Sequence, residues 1–160
     1  RNLVGFAFTK INEKSFGENN LPFSYTVDYQ MDGLVKKAGR NIVVSVGQLF
    51  GQQTHIEGKA RKRDMDLIYD YPRSYSVTLN LNIPSGYSVA QESLQKLNNH
   101  IDNETVRLTT KAEISDGKLV IIFQKVYKQQ RVPVAKWEQV LSMLDRAYEF
   151  TSQQIILKKK

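Results

Sequence analysis

The sequence predicts a mainly β protein, an antiparallel β-sandwich with one C-terminal helix at about 134–150 packed on it. Three stretches carry that expectation. Tyr75, Val77, Leu79, Leu81 and Ile83 are apolar while Ser76, Thr78, Asn80 and Asn82 between them are polar, the period of two of a strand with one wet and one buried face. Asp116-Gly117 stands between two strongly β runs, Val106 to Ile114 and Lys118 to Tyr127, and favours a two-residue type I′ turn. Trp137, Val140, Leu141, Leu144, Ala147 and Tyr148 recur at three and four, which is helical spacing.

Taken in order, Leu3, Val4, Phe6 and Phe8 suggest an edge strand or an upstream connection over 1–20, running into a polar loop from Asn12 to Asn20. A single sandwich domain is expected over 21–160. Its first strand is Phe23 to Met31, where Phe23, Tyr25, Val27, Tyr29 and Met31 alternate with polar residues. Asp32-Gly33 reads as a turn, Lys36 to Arg40 as a basic loop, and Ile42, Val44 and Val46 as a short β-branched strand. Met65, Leu67 and Tyr69 suggest a strand ahead of the Asp70-Tyr71-Pro72 corner, where proline cannot donate to a ladder. Pro84-Ser85-Gly86 turns the chain before Tyr87 and Val89 resume the alternation. Leu94 to Ile101 is a connection with one or two helical turns.

The run Lys118 to Tyr127 carries Val120 and Ile122 as well as Leu119, Ile121 and Phe123, so it is expected inside a sheet and buried on both faces. Pro133 suits the first turn of the helix, and Trp137 is expected to bolt it to the sheet. Ile155 to Leu157 gives a last short strand. Short strands separated by Gly, Pro, Asn and Asp fit an Ig-like or related sandwich, and a barrel is the rival that would use the same alternation.

A chain of 160 residues is long enough for one domain with a substantial core. It has no apolar run near the ~18 residues of a membrane helix and no signal-peptide core. Beginning at Arg1, it reads as a piece of something longer. Cysteine is absent, which removes disulfides, thiolate metal sites and thiol nucleophiles together. The net charge of +7 raises the question of nucleic acid, but the cations are scattered, as they are when they serve solubility. No nucleic-acid partner is expected.

Candidate chemistry is sparse. His55 and His100 stand at no metal or triad spacing, and Asp64, Asp66 and Asp70 span too much strand to hold one ion unless the chain bends. A hydrolase would need those groups to converge in a cleft. There is no phosphate-cradling GxGxxG or P-loop pattern and no GxSxG elbow. No catalytic, metal or cofactor-binding residue is assigned, no cofactor is expected, and the chain is not expected to be an enzyme. The aromatics offer a binding surface instead, since Tyr69, Tyr71, Tyr75, Tyr87 and Tyr127 with Trp137 could stack on sugar or seal the core. The residues picked out for a ligand or partner surface are Arg61, Arg63, Tyr71, Arg73 and Tyr127.

LVKKAG from 34 and VGQLFGQQ to 53, RKRDMDLIYDYPRSY at 61–75, IPSGYSV at 83–89 and KWEQVLSMLDRAYEFTSQQIILKK at 136–159 form an ordered series. Over residues ~20 to 160 that series resembles the C-terminal domain of unknown function in exported, transglutaminase-like proteins common in Bacteroidetes. The resemblance implies an accessory domain facing the periplasm or outer membrane, with the upstream transglutaminase-like domain of the same chain as partner. The Cys-His-Asp arrangement of that upstream core transfers to no residue here, because this chain lacks cysteine. A glycan- or envelope-polymer-binding sandwich is the alternative.

Overall fold

The computed structural model describes residues 6–16 and 23–160. Leu3, Val4 and residues 17–20 lie outside that range, and the loop expected from Asn12 to Asn20 is instead strand as far as Phe16. The chain divides into two compact units, Arg1–Lys36 and Lys37–Lys160. In the first, β1 (Phe6–Phe16) and β2 (Phe23–Met31) pair antiparallel, with register shifts between Phe8 and Lys10 and between Glu13 and Ser15.

The second unit is an antiparallel β-sandwich with a C-terminal helix packed on it. One sheet has the order β3 (Val35–Ala38, which begins two residues before Lys37), β4 (Asn41–Val44), β12 (Ile155–Lys159), β7 (Tyr87–Val89). The other has the order β6 (Arg73–Asn82), β10 (Lys118–Tyr127), β9 (Val106–Ser115), β8 (Asn99–Asp102). A two-stranded ribbon joins β5 (Leu67–Ile68) to β11 (Arg131–Val132). Two helices complete it, α1 (Gln91–Lys96) and α2 (Trp137–Phe150), the latter entered through a 3-10 turn at Val134–Lys136 after Pro133.

The β9–β10 turn is the expected two-residue one. Asp116 and Gly117 both have positive φ, 50° and 71°, as a type I′ turn requires, and Ser115 pairs directly with Lys118. That turn sets the register of β9 on β10. It puts Leu119, Ile121, Phe123 and Tyr127 on the inner face with Val106 and Leu108, and all six are buried. β10 lies inside its sheet as expected, but its other face, with Val120, Ile122 and Val126, is only half-buried.

α2 turns Trp137, Val140, Leu141, Met143, Leu144, Ala147 and Phe150 into the core, where they meet residues of both sheets. Phe50, Phe123 and Phe150 form a ring cluster with centroids 5.2 to 5.6 Å apart, tying the 46–50 segment, β10 and the helix together.

Several expectations need correcting. The basic stretch at 36–38 is strand β3, an edge strand exposed along its whole length, and lysines suit an edge because they discourage further pairing. The strand ending in Val46 stops at Val44. The chain turns into a 3-10 helix at Val46–Phe50 because Gly47 is drawn against the end of α2, donating its N–H to the Gln153 carbonyl at 2.9 Å. The strand expected over Met65–Tyr69 shortens to Leu67–Ile68 and leaves Met65 exposed. β8 forms from polar residues because its backbone and side chains bond to β9, Asn99 through the Thr110 hydroxyl.

Candidate functional site

The antiparallel register of β6 on β10 sets Arg73 opposite Tyr127, Tyr75 opposite Lys125 and Val77 opposite Phe123. Directly paired residues project to the same face of a sheet, so all six belong to the inner face. At the Leu79 and Leu81 end that face is half-covered or better. At the other end it opens, with Tyr75 48% and Val77 38% exposed, although both stand on the apolar side of the strand.

A cluster of rings and cations fills the open end. The Tyr69 backbone N–H donates to the Gln130 carbonyl at 2.8 Å, which holds the Tyr69 ring edge-on to Tyr127 at 5.1 Å. Tyr75 meets Tyr127 edge-on at 6.5 Å. The Arg73 guanidinium lies 4.8 Å from the centre of the Tyr69 ring, 5.1 Å from Tyr127 and 5.9 Å from Tyr75. The Lys125 ammonium lies 5.5 Å from Tyr75 and 5.9 Å from Tyr127, and donates to Gln53 Oε1 at 2.8 Å. Gln53 is held in turn by donating from Nε2 to the Phe50 carbonyl at 3.1 Å. Lys125 is only 9% exposed. Beside it opens a cleft of about 300 Å³ floored by Phe50, Phe123 and Val77.

Burial sets the electrostatics here. It pushes the Tyr127 phenol up to about 12, Tyr69 adding to the effect and Arg73 opposing it, and it raises Tyr69 as well. Burial, then the charge of Arg73, lowers the Lys125 ammonium below its ordinary 10.5. The folded chain therefore holds this proton less tightly than the unfolded chain does. The destabilisation is fully present below the folded value and is relieved as pH rises through it toward 10.5. Lys125→Met should raise stability at neutral pH by about 1 kcal/mol. Its advantage over the wild type should shrink at alkaline pH, as denaturant unfolding at pH 7 and pH 10 would show.

The sequence-selected residues separate into two places. Arg73 and Tyr127 meet in the cluster, with Tyr127 buried rather than presented at the surface. Arg61 is structural: its guanidinium donates to both carboxylate oxygens of Asp145, at 2.9 and 2.7 Å, and to the Ile56 carbonyl. Its own carbonyl accepts from Trp137 Nε1 at 2.7 Å, so Trp137 anchors α2 to the 58–61 turn. Arg63 covers the Trp137 ring at 5.0 Å. Tyr71 is exposed and touches none of the other four in any hydrogen bond or ring contact.

The remaining candidates disperse. His55 stacks on Tyr148 at 4.0 Å and reaches Glu57 at 2.6 Å, whereas His100 Nδ1 lies 3.3 Å from the Thr109 hydroxyl. Asp66 accepts from Arg131 at 2.8 Å and from the Val134 N–H at 3.0 Å. Among the described residues no group of three or more His, Asp or Glu could hold a metal.

The Arg61–Asp145 pair holds the Asp145 carboxyl below its ordinary value of 3.8. Its contribution is present above 3.8 and lost as pH falls through the lower folded value. Asp145→Asn should cost about 1 kcal/mol or less at neutral pH. The gap between wild type and variant should narrow as pH falls below 3.8, which acid-series unfolding curves would measure.

Tyr69 stood among the aromatics that could stack on sugar or seal the core, whereas Lys125 and Gln53 carry no such expectation. For Lys125 a signal existed, since period two from Leu119 through Ile121 and Phe123 places it on the buried face. Gln53 is brought in by contacts that no local pattern announces.

Fold and cluster define a β-sandwich module of the Ig-like kind, with one end of its inner face left open. Residues 72–147, a little under half of the chain, match the family model of the A-macroglobulin receptor binding domain. In structure the chain is similar to a protein of Parabacteroides distasonis described as a "putative protease", with 14% identity, a TM-score of 0.51 and 61% of this chain covered. The match spans 19% of the length of that chain, and at this identity it speaks to the fold alone. No curated protein matches. No helix among the described residues is long and apolar enough to cross a membrane.

Proposed function

We propose that this chain is a non-catalytic accessory domain of a longer exported, transglutaminase-like protein, and that it supports or positions the upstream domain by docking to it. The observation that carries the reading is the open end of the sandwich, where Tyr75 and Val77 stand exposed on an otherwise apolar face beside two cations. Exposed aromatics and arginine are enriched where proteins meet. The match to a domain named for receptor binding supports a module that works within a larger protein. Its place in the periplasm or at the outer membrane follows from the resemblance of the motif series.

Calorimetric titration of the chain against the separately expressed upstream region tests this. Saturable association, with a rise in the melting temperature of the upstream region, is expected. No association and no thermal effect would contradict it. The second reading, a glycan or envelope-polymer module, draws on the exposed rings of Tyr71 and Tyr75. A blank glycan array and envelope pull-down would dispose of it.

A further inference from the structure

We propose that the open end of the sandwich receives a carboxylate side chain carried on an extended segment of a protein partner, the segment lying along β6. This rests on the docking reading and adds the surface and the chemistry by which docking occurs.

The first ground is uncompensated charge. Lys125 is nine-tenths buried, and Arg73 lies close enough to repel it, yet among the described residues no carboxylate comes within ion-pair distance of either. The acids that do pair spend themselves elsewhere, Asp66 on Arg131, Asp102 on Lys128, Glu104 on Lys136 and Asp145 on Arg61. Lys125 is left with the neutral oxygen of Gln53 and the faces of two tyrosines. A buried charge without a counter-charge is costly, and an incoming carboxylate removes that cost.

The second ground is the strand itself. Among the described residues β6 is hydrogen-bonded on one side only, to β10, along a register without a bulge. Its residues from Arg73 to Thr78 are exposed, and from Ser74 to Asn82 it carries neither charge nor proline. β3, at the edge of the other sheet, carries Lys36 and Lys37. An uncharged, regular edge invites another strand, and peptide recognition by strand addition uses such edges.

The third ground is fit. A strand added to β6 stands two strand spacings, about 10 Å, from β10, within the combined reach of a glutamate and a lysine on the same face. The cleft of about 300 Å³ offers Phe123 and Val77 to the stem of such a side chain and Lys125 to its head. An excess of positive charge over the whole chain, +7, favours an acidic segment in the approach as well.

The test is a nitrogen-labelled NMR titration of the full 160-residue chain with a blocked peptide of alternating threonine and valine bearing one central glutamate. The same peptide with glutamine, and a uronic-acid oligosaccharide, are run alongside. The expected result is saturable shifts at the Arg73 to Thr78 amides and at Lys125, at least ten-fold weaker with the glutamine peptide. Lys125→Met should abolish them without lowering the melting temperature, and Arg73→Gln, at an exposed position, should weaken them several-fold. Equal binding of the two peptides, no binding, shifts confined to other strands, or saturation by the oligosaccharide alone would overturn the proposal. If the peptides fail while the chain still binds the upstream region, docking stands and the carboxylate site falls. If the glutamate peptide binds while the upstream region does not, the site stands and the choice of partner falls.

Discussion

Truncating Trp137 to alanine should lower stability by about 3–5 kcal/mol, seen as an earlier denaturation midpoint at an unchanged slope. The ring is 6% exposed and opens the buried stripe of α2. Alanine would leave a cavity and would also strand the Arg61 carbonyl, which accepts from the indole N–H at 2.7 Å. The two losses fall on the same joint between the helix and the 58–61 turn. Trp137→Phe separates them, because it keeps most of the buried surface and loses only the hydrogen bond, at about 1–3 kcal/mol for the carbonyl left unpaired. An alanine variant within 1 kcal/mol of the wild type would mean that the helix is not held at this point.

Gly47→Ala is the second substitution expected to act strongly, by about 3 kcal/mol. A methyl group there would stand 2.2 Å from the Phe150 carbonyl oxygen and 2.7 Å from the backbone of Thr151. Those atoms are main chain at the end of α2 and cannot rotate away. Either the helix end shifts or the Gly47 to Gln153 hydrogen bond breaks, and in both cases the Phe50, Phe123 and Phe150 cluster loosens. Thermal unfolding measures the loss, and a near-UV circular dichroism signal reduced below the transition would place it at the ring cluster.

The strands that could be read from the sequence are those whose burial is one-sided or complete. β6, β9 and β10 announce themselves because period-two hydropathy follows directly from which face meets the core, and Asp116-Gly117 fixes the register of β9 on β10 by backbone preference. α2 was legible for the same reason at its own period. β8 was not, since Asn99, His100 and Asp102 give no alternation and the strand exists through bonds to β9. Nor was the end of β4, because the turn at Val46 is imposed by a helix terminus a hundred residues later in the chain.

The site follows the same division. Arg73 offers positive charge and Tyr127 an aromatic ring for a binding surface, and they do come together, but as the outer and inner parts of one cluster rather than as a flat platform. Arg61 carried the same signal of an exposed cation and proves to be committed to Asp145, a partner that sequence distance conceals. Lys125 was legible in principle, as the charged residue in a file of buried apolar ones. A lysine in such a file costs stability, and residues that cost stability are where function is most worth seeking.

Hydrogen exchange on the chain alone and bound to the proposed upstream region measures most directly whether the open end of the sandwich is where a partner is received. The prediction is slowed exchange at the β6 amides from Arg73 to Thr78 that do not bond to β10, with the rest of the sandwich unchanged. Protection at α2 or β8 with β6 left as fast as in the free chain would contradict it.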